Sequence, residues 1–209
     1  MAEHVILLHG IWMRGITLLP LARRLRAAGY AVETIDYASV FAGIGPVIER
    51  VRERMRAIDA DPVHLVGHSL GGVAALQATR GIGDLPAGHV VCLGPPLRGS
   101  AVARSLARIP GGRWLLGQSA APLLDGLDAW TDARRVGVIA GCLPIGVGAV
   151  TGMLESPNDG TVSVAETRLD GIGDHRVVAA SHTGLLFSSE AADLTLAFLR
   201  DGRFVAGSV

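Results

Sequence analysis

The amino-acid sequence predicts an α/β fold with a mostly parallel central sheet of about six strands and helices on both faces. Short apolar runs alternate along the chain with longer segments of helical pattern, which is typical of a parallel sheet covered by helices. A length of 209 residues and a hydrophobic content of 49% suffice for one sizeable core. Neither an internal repeat nor a low-complexity linker divides the chain, so we expect residues 1–209 to form a single domain.

Six apolar runs predict the strands of this sheet. In chain order they are HVILLHG at 4–10, AVETIDYA at 31–38, VHLVGHS at 63–69, HVVCLG at 89–94, RVGVIAG at 135–141 and HRVVAAS at 175–181. The chain therefore enters the sheet almost at its first residue.

Helical patterns fill the first connections between these runs. Residues 18–28 are predicted to form a helix with Thr17 as its N-cap, Pro20 in its first turn and Gly29 just past its end. Residues 46–59 carry apolar side chains on one face and charged side chains on the rest, which predicts an amphipathic surface helix.

The number and type of the charged residues exclude several classes of protein. Nineteen basic residues match nineteen acidic ones, so no net field attracts nucleic acid or an anionic membrane. All the basic residues are arginines, because the sequence contains no lysine. A Ser-Lys dyad, a pyridoxal phosphate Schiff base and a P-loop all require lysine, and they are therefore excluded.

The cysteines and the first residues predict a cytoplasmic location. Cys92 and Cys142 each lie in an apolar stretch, as buried free thiols do in a reducing compartment. The start MAEHVILLHG has no basic region and too short an apolar run for a signal peptide. The apolar stretch at 136–150 is too short and too rich in glycine and proline for a transmembrane helix.

The stretch VHLVGHSLGG at 63–72 contains Gly67-His68-Ser69-Leu70-Gly71, a match to G-x-S-x-G between a predicted strand and the helix-compatible run VAALQATR. A sharp strand-to-helix turn leaves no room for side chains two residues before or after the serine, and glycines stand at both positions. Such a turn exposes the serine hydroxyl beside the N–H groups of a helix N-terminus. We therefore expect Ser69 to be a nucleophile; the alternative is a Gly-Ser turn that caps a helix.

A serine nucleophile also needs a base, an acid that orients the base, and donors for an oxyanion. His182 follows the last predicted strand and is the candidate base, while Asp159 lies in the polar turn SPNDGTVSV and is the candidate acid. The order Ser69, Asp159, His182 is the one expected for this arrangement. The amides of Ile11 and Leu70 are the candidate oxyanion donors, with an ordinary strand-ending turn as the alternative at the first of them.

Other titratable side chains are weaker candidates. His64 and His68 have a helical metal-binding spacing, but they straddle a strand and its turn with no carboxylate or cysteine nearby in sequence, so we expect no metal site. The weaker candidates for the acid are Asp125, Asp128 and Asp132 in the segment 98–134, and Asp170 and Asp174, which flank a glycine-rich turn before the last predicted strand.

Together these motifs resemble the α/β-hydrolase family, and within it the lipases and esterases whose strands end in HG, G-H-S-x-G, a Pro-x-Asp-Gly turn and a final histidine. The resemblance covers nearly the whole chain and implies an α/β-hydrolase fold that lacks the family's first two strands. The segment LGPPLRGS at 93–100 departs from the family's pattern at Pro95 and Leu97, which concerns the acyl pocket rather than the triad. The resemblance implies Ser69 as nucleophile, His182 as general base and later acid, Asp159 as orienting carboxylate, and the Ile11 and Leu70 amides as oxyanion hole.

The function expected from these residues is that of a serine carboxylic-ester hydrolase, a lipase or esterase that forms an acyl-enzyme and needs no metal or organic cofactor. Its partner would be a small-molecule or lipid acyl ester, with transient lipid contact and no nucleic acid. A thioesterase, an amidase or an acyltransferase could use the same triad, and a non-catalytic binding protein is the alternative from another class.

Two segments concern the substrate. Residues 98–134 break the alternation of strands and helices, and we expect this excursion to pass over a sheet edge either as a short lid or as fixed scaffold. The apolar loop at 143–154 either lines a pocket for an acyl chain or packs under the excursion.

Overall fold

The computed structural model describes residues 2–146 and 154–204, and its sheet contains the six predicted strands. All neighbouring strands pair in parallel, in the order β2-β1-β3-β4-β5-β6. The predicted α/β fold class is therefore confirmed. The strands are β1 His4–Leu8, β2 Ala31–Ile35, β3 Val63–His68, β4 Val90–Leu93, β5 Val136–Gly141 and β6 Asp174–Val178.

Helices occupy most of the connections between the strands. They are α1 Leu19–Ala27, α2 Gly45–Ala57, α3 Leu70–Thr79, α4 Ala101–Ala107, α5 Gly112–Leu116, α6 Ala120–Asp125 and α7 Ser189–Asp201. None of the helices in the described ranges is long and apolar enough to cross a lipid bilayer.

Two buried clusters lie on opposite faces of the sheet, because successive residues of a strand point to opposite sides. In β1, Leu7 belongs to the cluster that contains Leu25 of α1 and Phe198 of α7. Its neighbour Ile6 belongs to the cluster that contains Val51 of α2. The sheet is thus covered on both faces, as the sequence predicts.

The first helix begins differently from the prediction. Gly15–Leu18 is a turn of 3-10 helix, and the N-cap of α1 is Leu18. The Thr17 hydroxyl donates to the carbonyl oxygen of Arg14 at 2.7 Å. The N-cap prediction for Thr17 was wrong, because this hydroxyl finds a local backbone acceptor inside the 3-10 turn and makes no bond to the amides of α1.

The excursion at 98–134 contains α4, α5 and α6 and is hydrogen-bonded to two other parts of the chain. The N–H of Gln118 donates to the carbonyl oxygen of Val40 in the loop after β2, at 2.9 Å. The buried carboxylate of Glu166 accepts a hydrogen bond from the N–H of Ala101, where α4 begins. These bonds hold the excursion against the carboxyl side of the sheet.

The strand order creates a crevice at this side. Strand β1 lies between β2 and β3, and the helices that follow β1 and β3 lie on opposite faces. The loops after β1 and β3 therefore diverge, and in parallel sheets such a point is where ligands bind. Ile11 lies in the first of these loops, and Ser69 lies in the second.

Candidate active site

Ser69 is the single residue between the end of β3 and the first residue of α3. Its φ of 55° is in the left-handed region, which is strained for a residue with a side chain. A Cβ on Gly67 would lie 2.3 Å from the carbonyl oxygen of Gly71, so the turn requires glycine there. The hydroxyl makes no capping hydrogen bond with α3, which speaks against the alternative of a simple capping serine.

We expect Gly71→Ala to destabilise the protein by about 3 kcal/mol or more, as a backbone clash in a packed region does. The added Cβ would lie 2.4 Å from the carbonyl oxygen of Leu8 and 2.6 Å from that of His9, and neither backbone atom can move freely. Urea unfolding measures the loss. Gly83→Ala is the matched control, since no atom lies within 4 Å of its Cβ position. Equal stability of the two variants would contradict the packing argument.

The candidate acid and base are in direct contact. Nδ1 of His182 lies 2.7 Å from Oδ2 of Asp159. The other oxygen of Asp159 accepts hydrogen bonds from the N–H groups of Thr161 at 2.9 Å and Val162 at 2.7 Å. Because Asp159 is buried, these two amides compensate for part of the water that its carboxylate has lost. The carboxylate is thus fixed in one orientation towards the His182 ring.

His68 fixes the backbone of His182 from the other side. The Nε2–H of His68 donates to the carbonyl oxygen of His182 at 2.9 Å, and the N–H of His182 donates to the carbonyl oxygen of Asp159 at 2.9 Å. A carbonyl oxygen only accepts, so the proton of His68 is on Nε2. Its Nδ1 is buried and has no hydrogen-bond partner among the residues that the structure describes. In the sequence, the spacing of His64 and His68 suggests only a metal ligand, and nothing there signals this positioning contact.

We expect the free energy of unfolding to decrease as the pH falls below about 6.5, the pKa of a histidine in an unfolded chain. Burial, and then the charge of His182, lower the pKa of His68 to about 3. The folded protein therefore does not take up a proton that the unfolded chain binds, which costs roughly 1.4 kcal/mol per pH unit for such a histidine. Urea unfolding at about pH 7.5 and about pH 5 measures the difference.

The matched variant is His68→Gln, whose side-chain amide can still donate to the carbonyl oxygen of His182. Its stability should depend less on pH than that of the wild type. Burial also lowers the pKa of His64 to about 4, so part of the dependence should remain. A pH dependence unchanged by His68→Gln would contradict the role given to His68.

Ser69 and the Asp159–His182 pair lie at the same edge of the sheet. The ring centroids of His68 and His182 are 4.7 Å apart, and His68 directly precedes Ser69. A Cβ on Gly94, just after β4, would lie 3.1 Å from Nδ1 of His182. Within the described residues no hydrogen bond joins the Ser69 hydroxyl to the His182 ring. Catalytic hydrogen bonds are often loose in a ligand-free site and tighten when substrate binds.

The candidate oxyanion donors lie on both sides of Ser69. A Cβ on Gly10 would lie 3.0 Å from Cβ of Ser69, so the loop after β1 passes directly against the nucleophile. Leu70 is the first residue of α3, and its N–H has no acceptor within that helix. The N–H of Ile11 likewise donates to no backbone acceptor in the described part of the chain. Both amides are therefore available to a substrate oxygen.

His9 orients one of these amides. Its Nδ1–H donates to the carbonyl oxygen of Gly10 at 2.8 Å. In a planar trans peptide the C=O of Gly10 and the N–H of Ile11 point in opposite directions, so this bond fixes the direction of the N–H. His9 is itself held by Tyr37, whose backbone N–H donates to Nε2 at 3.2 Å and whose ring stacks on the imidazole at 4.3 Å. The His9-Gly10 dipeptide signals the loop, but no sequence pattern reveals these partners.

Three of the other candidate acids lie in contacts of their own. Asp132 accepts hydrogen bonds from the N–H groups of Gly81 and Arg134, Asp170 pairs with Arg98, and Asp174 accepts from the N–H of Phe204. Residues 2–146 and 154–204 contain no group of three side chains suited to a metal ion.

The two thiols are free, and Cys92 lacks the features of a nucleophile. Cys92 is buried in β4, and burial raises its pKa, so it stays protonated. Cys142 is only half-buried, which differs from the prediction of a buried thiol.

The apolar loop at 143–154 falls mostly on residues 147–153, which lie outside the described residues. Its predicted part in an acyl pocket therefore stays a prediction.

Comparison with known proteins places the chain within a family. A model described as the alpha/beta hydrolase family matches residues 5–161. A search of curated proteins gave no match. Among solved structures, the chain is similar to the Bacillus licheniformis lipase BlEst2 in its propeptide form, with a TM-score of 0.79 and 18% identity. This similarity covers 100% of the chain and 52% of the lipase, so the chain spans about half the length of that protein.

Two further structures match over nearly their whole length. An extracellular alpha/beta-hydrolase from a Paenibacillus species has a TM-score of 0.61 and 17% identity, over 95% of this chain and 100% of that one. The type II thioesterase BorB from the borrelidin biosynthetic cluster has a TM-score of 0.64 and 16% identity, over 96% of this chain and 92% of that one. At such identities these likenesses show the fold.

Proposed function

The chain belongs to the alpha/beta hydrolase family, and from that premise we propose that it is a serine carboxylic-ester hydrolase that works through an acyl-enzyme. Ser69 attacks the acyl carbon while His182 accepts the hydroxyl proton, and Asp159 holds the imidazolium that forms. The amides of Ile11 and Leu70 bind the oxyanion of the tetrahedral intermediate. His182 then returns the proton to the departing alcohol.

Water completes the cycle by the same steps in reverse. His182 takes a proton from water, the resulting hydroxide attacks the acyl carbon, and Ser69 leaves with the proton that His182 gives back. The products are a carboxylic acid and an alcohol. The substrate is a small-molecule acyl ester, and the groups that act on it and on water are side chains and amides of this chain.

The contact between Asp159 and His182 is the observation that carries this proposal. A carboxylate oxygen 2.7 Å from Nδ1 keeps the ring proton on that nitrogen. Nε2 is then the nitrogen that can accept a proton from a hydroxyl. The pair adjoins the strained turn that carries Ser69. The Ile11 and Leu70 amides, which donate to no backbone acceptor in the described ranges, supply the positive ends of dipoles there.

A fluorophosphonate probe with intact-mass analysis tests the proposal together with hydrolysis of p-nitrophenyl esters and of an acyl thioester. We expect one adduct per chain, located at Ser69, and cleavage of the oxygen esters. If the probe labels Ser69 and the protein cleaves only the acyl thioester, the substrate is a thioester. A folded protein that neither labels nor cleaves any of these substrates would contradict the proposal and favour the binding-protein alternative.

A further inference from the structure

An apolar cleft of about 390 Å³ opens beside the loop that follows β1. One wall consists of Trp12 and of residues in the loop after β2, and the other consists of α5 and the residues directly after it. Among the described residues that line the cleft, Gln118 alone has a polar side chain and none is charged. The side chains that line it are Trp12, Val40, Phe41, Trp114, Leu115 and Gln118.

Three of these side chains are aromatic and strongly exposed. Phe41 is 84% exposed, Trp114 is 78% exposed and Trp12 is 61% exposed. Large apolar side chains left in water around one concavity mark a binding site for an apolar group. The third tryptophan, Trp130, is buried, with 5% exposure.

The two walls are fixed to each other by hydrogen bonds. The indole N–H of Trp12 donates to the carbonyl oxygen of Leu115 at 3.1 Å. A Cβ on Gly117 would lie 2.1 Å from the carbonyl oxygen of Val40, so the second wall approaches as closely as only glycine permits. The cleft is thus formed before any ligand enters it, which reduces the entropy that binding costs.

The cleft adjoins the loop that carries the candidate oxyanion amide of Ile11, because Trp12 in its wall is the next residue of that loop. Trp12 directly follows Ile11, and its φ of 58° is in the left-handed region, which is a strained conformation for so bulky a residue. The next residue, Met13, brings its Sδ to 3.3 Å from the Cβ position of Gly10, which lies against Ser69. An ester carbonyl at the Ile11 amide would therefore lie one residue away from the wall of this cleft.

We propose that the cleft binds the hydrocarbon chain of the ester substrate, an inference that rests on the hydrolase function proposed above. Its apolar, uncharged lining selects uncharged alkyl or aryl groups. Each methylene that becomes buried should raise kcat/KM about fourfold until the cleft is filled. The chain can belong to the acyl part or to the alcohol part, because both carry the same chemistry.

Kinetics with two substrate pairs test the cleft and distinguish the two parts. The acyl pair is p-nitrophenyl acetate and octanoate, and the alcohol pair is ethyl acetate and octyl acetate. In Phe41→Ala and Trp114→Ala, the ratio of kcat/KM for the long ester over the short ester should fall about tenfold in one pair. Ile109→Ala is the control, since Ile109 is an exposed apolar residue of the same excursion outside the cleft.

Unchanged ratios in both cleft variants, in a protein that the fluorophosphonate labels, would overturn the cleft assignment and leave the hydrolase proposal standing. If the cleft variants lower the kcat/KM ratio in the acetate–octanoate pair, the cleft binds the acyl chain. If they lower it in the ethyl acetate–octyl acetate pair, the cleft binds the alcohol part. A wild type that neither labels nor hydrolyses p-nitrophenyl acetate would show that the catalytic proposal has failed instead.

Binding without catalysis gives an independent readout. Ethyl octanoate titrated into Ser69→Ala should shift tryptophan emission to shorter wavelength, as Trp12 and Trp114 lose contact with water. Ethyl acetate at the same concentrations should give no shift. Introducing Phe41→Ala into the Ser69→Ala protein should weaken its affinity for ethyl octanoate about tenfold. The absence of any shift with ethyl octanoate would overturn the proposal whatever the chemistry at Ser69.

Discussion

Ser69→Ala is expected to lower kcat for ester hydrolysis roughly 10⁵-fold to 10⁶-fold, as removal of a serine nucleophile does. The proposed acyl-enzyme cannot form without the hydroxyl, and the candidate oxyanion amides alone leave only a small residual rate. The fold should be retained, because the hydroxyl makes no capping bond and alanine occupies the same turn with one atom fewer. Hydrolysis of a p-nitrophenyl ester measures the loss.

The control for this variant is Ser105→Ala, which removes a hydroxyl from α4, outside the candidate site. It should keep wild-type turnover and fluorophosphonate labelling, whereas Ser69→Ala should lose both. Circular dichroism and urea unfolding should show both variants folded. A folded Ser69→Ala protein that still cleaves the ester at the wild-type rate would remove Ser69 as the nucleophile.

Asp159→Asn is expected to lower kcat about 10⁴-fold through the tautomer of the base. The two amides that bind Oδ1 of Asp159 should hold the oxygen of the asparagine in the same place. Its NH₂ group would then face Nδ1 of His182 as a donor, so Nδ1 must accept and the ring proton moves to Nε2. The nitrogen that should receive the Ser69 proton is then already protonated.

Asp132→Asn is the comparison variant for the acid. Asp132 lies in the excursion and binds the N–H groups of Gly81 and Arg134, so its loss should affect stability rather than turnover. The rate of Asp159→Asn should recover little with increasing substrate, because the defect is in kcat. An active Asp159→Asn together with an inactive Asp132→Asn would show that the acid was assigned to the wrong residue.

Much of the fold could be predicted from the local pattern of apolar and polar residues. All six strand predictions are confirmed, since each run is apolar enough to require burial and is bounded by residues that end a strand. The limits of the helices were less predictable. At Thr17, a hydroxyl that could cap a helix bonded instead to the carbonyl oxygen of Arg14, a competition between two nearby acceptors that sequence does not resolve.

In the candidate site, too, some features could be predicted from the sequence and others could not. The turn at Ser69 was predictable because its constraint is local: the glycines at 67 and 71 are needed by backbone atoms within a few residues or on the adjacent strand. Asp159 and His182 were proposed from their places after strands, and the structure brings these two side chains into contact. Their catalytic roles, like those of the Ile11 and Leu70 amides, stay predictions that the variants above test.

By itself, the sequence determined the fold class, the strained turn at Ser69 and the exclusion of lysine-dependent chemistry. Only the tertiary structure decided that His68 donates to the backbone of His182, that Tyr37 holds His9, and that an apolar cleft opens beside Trp12. The reason is the distance along the chain. Turns and strands arise from neighbouring residues, whereas these contacts join segments whose meeting depends on how the whole sheet and its connections pack.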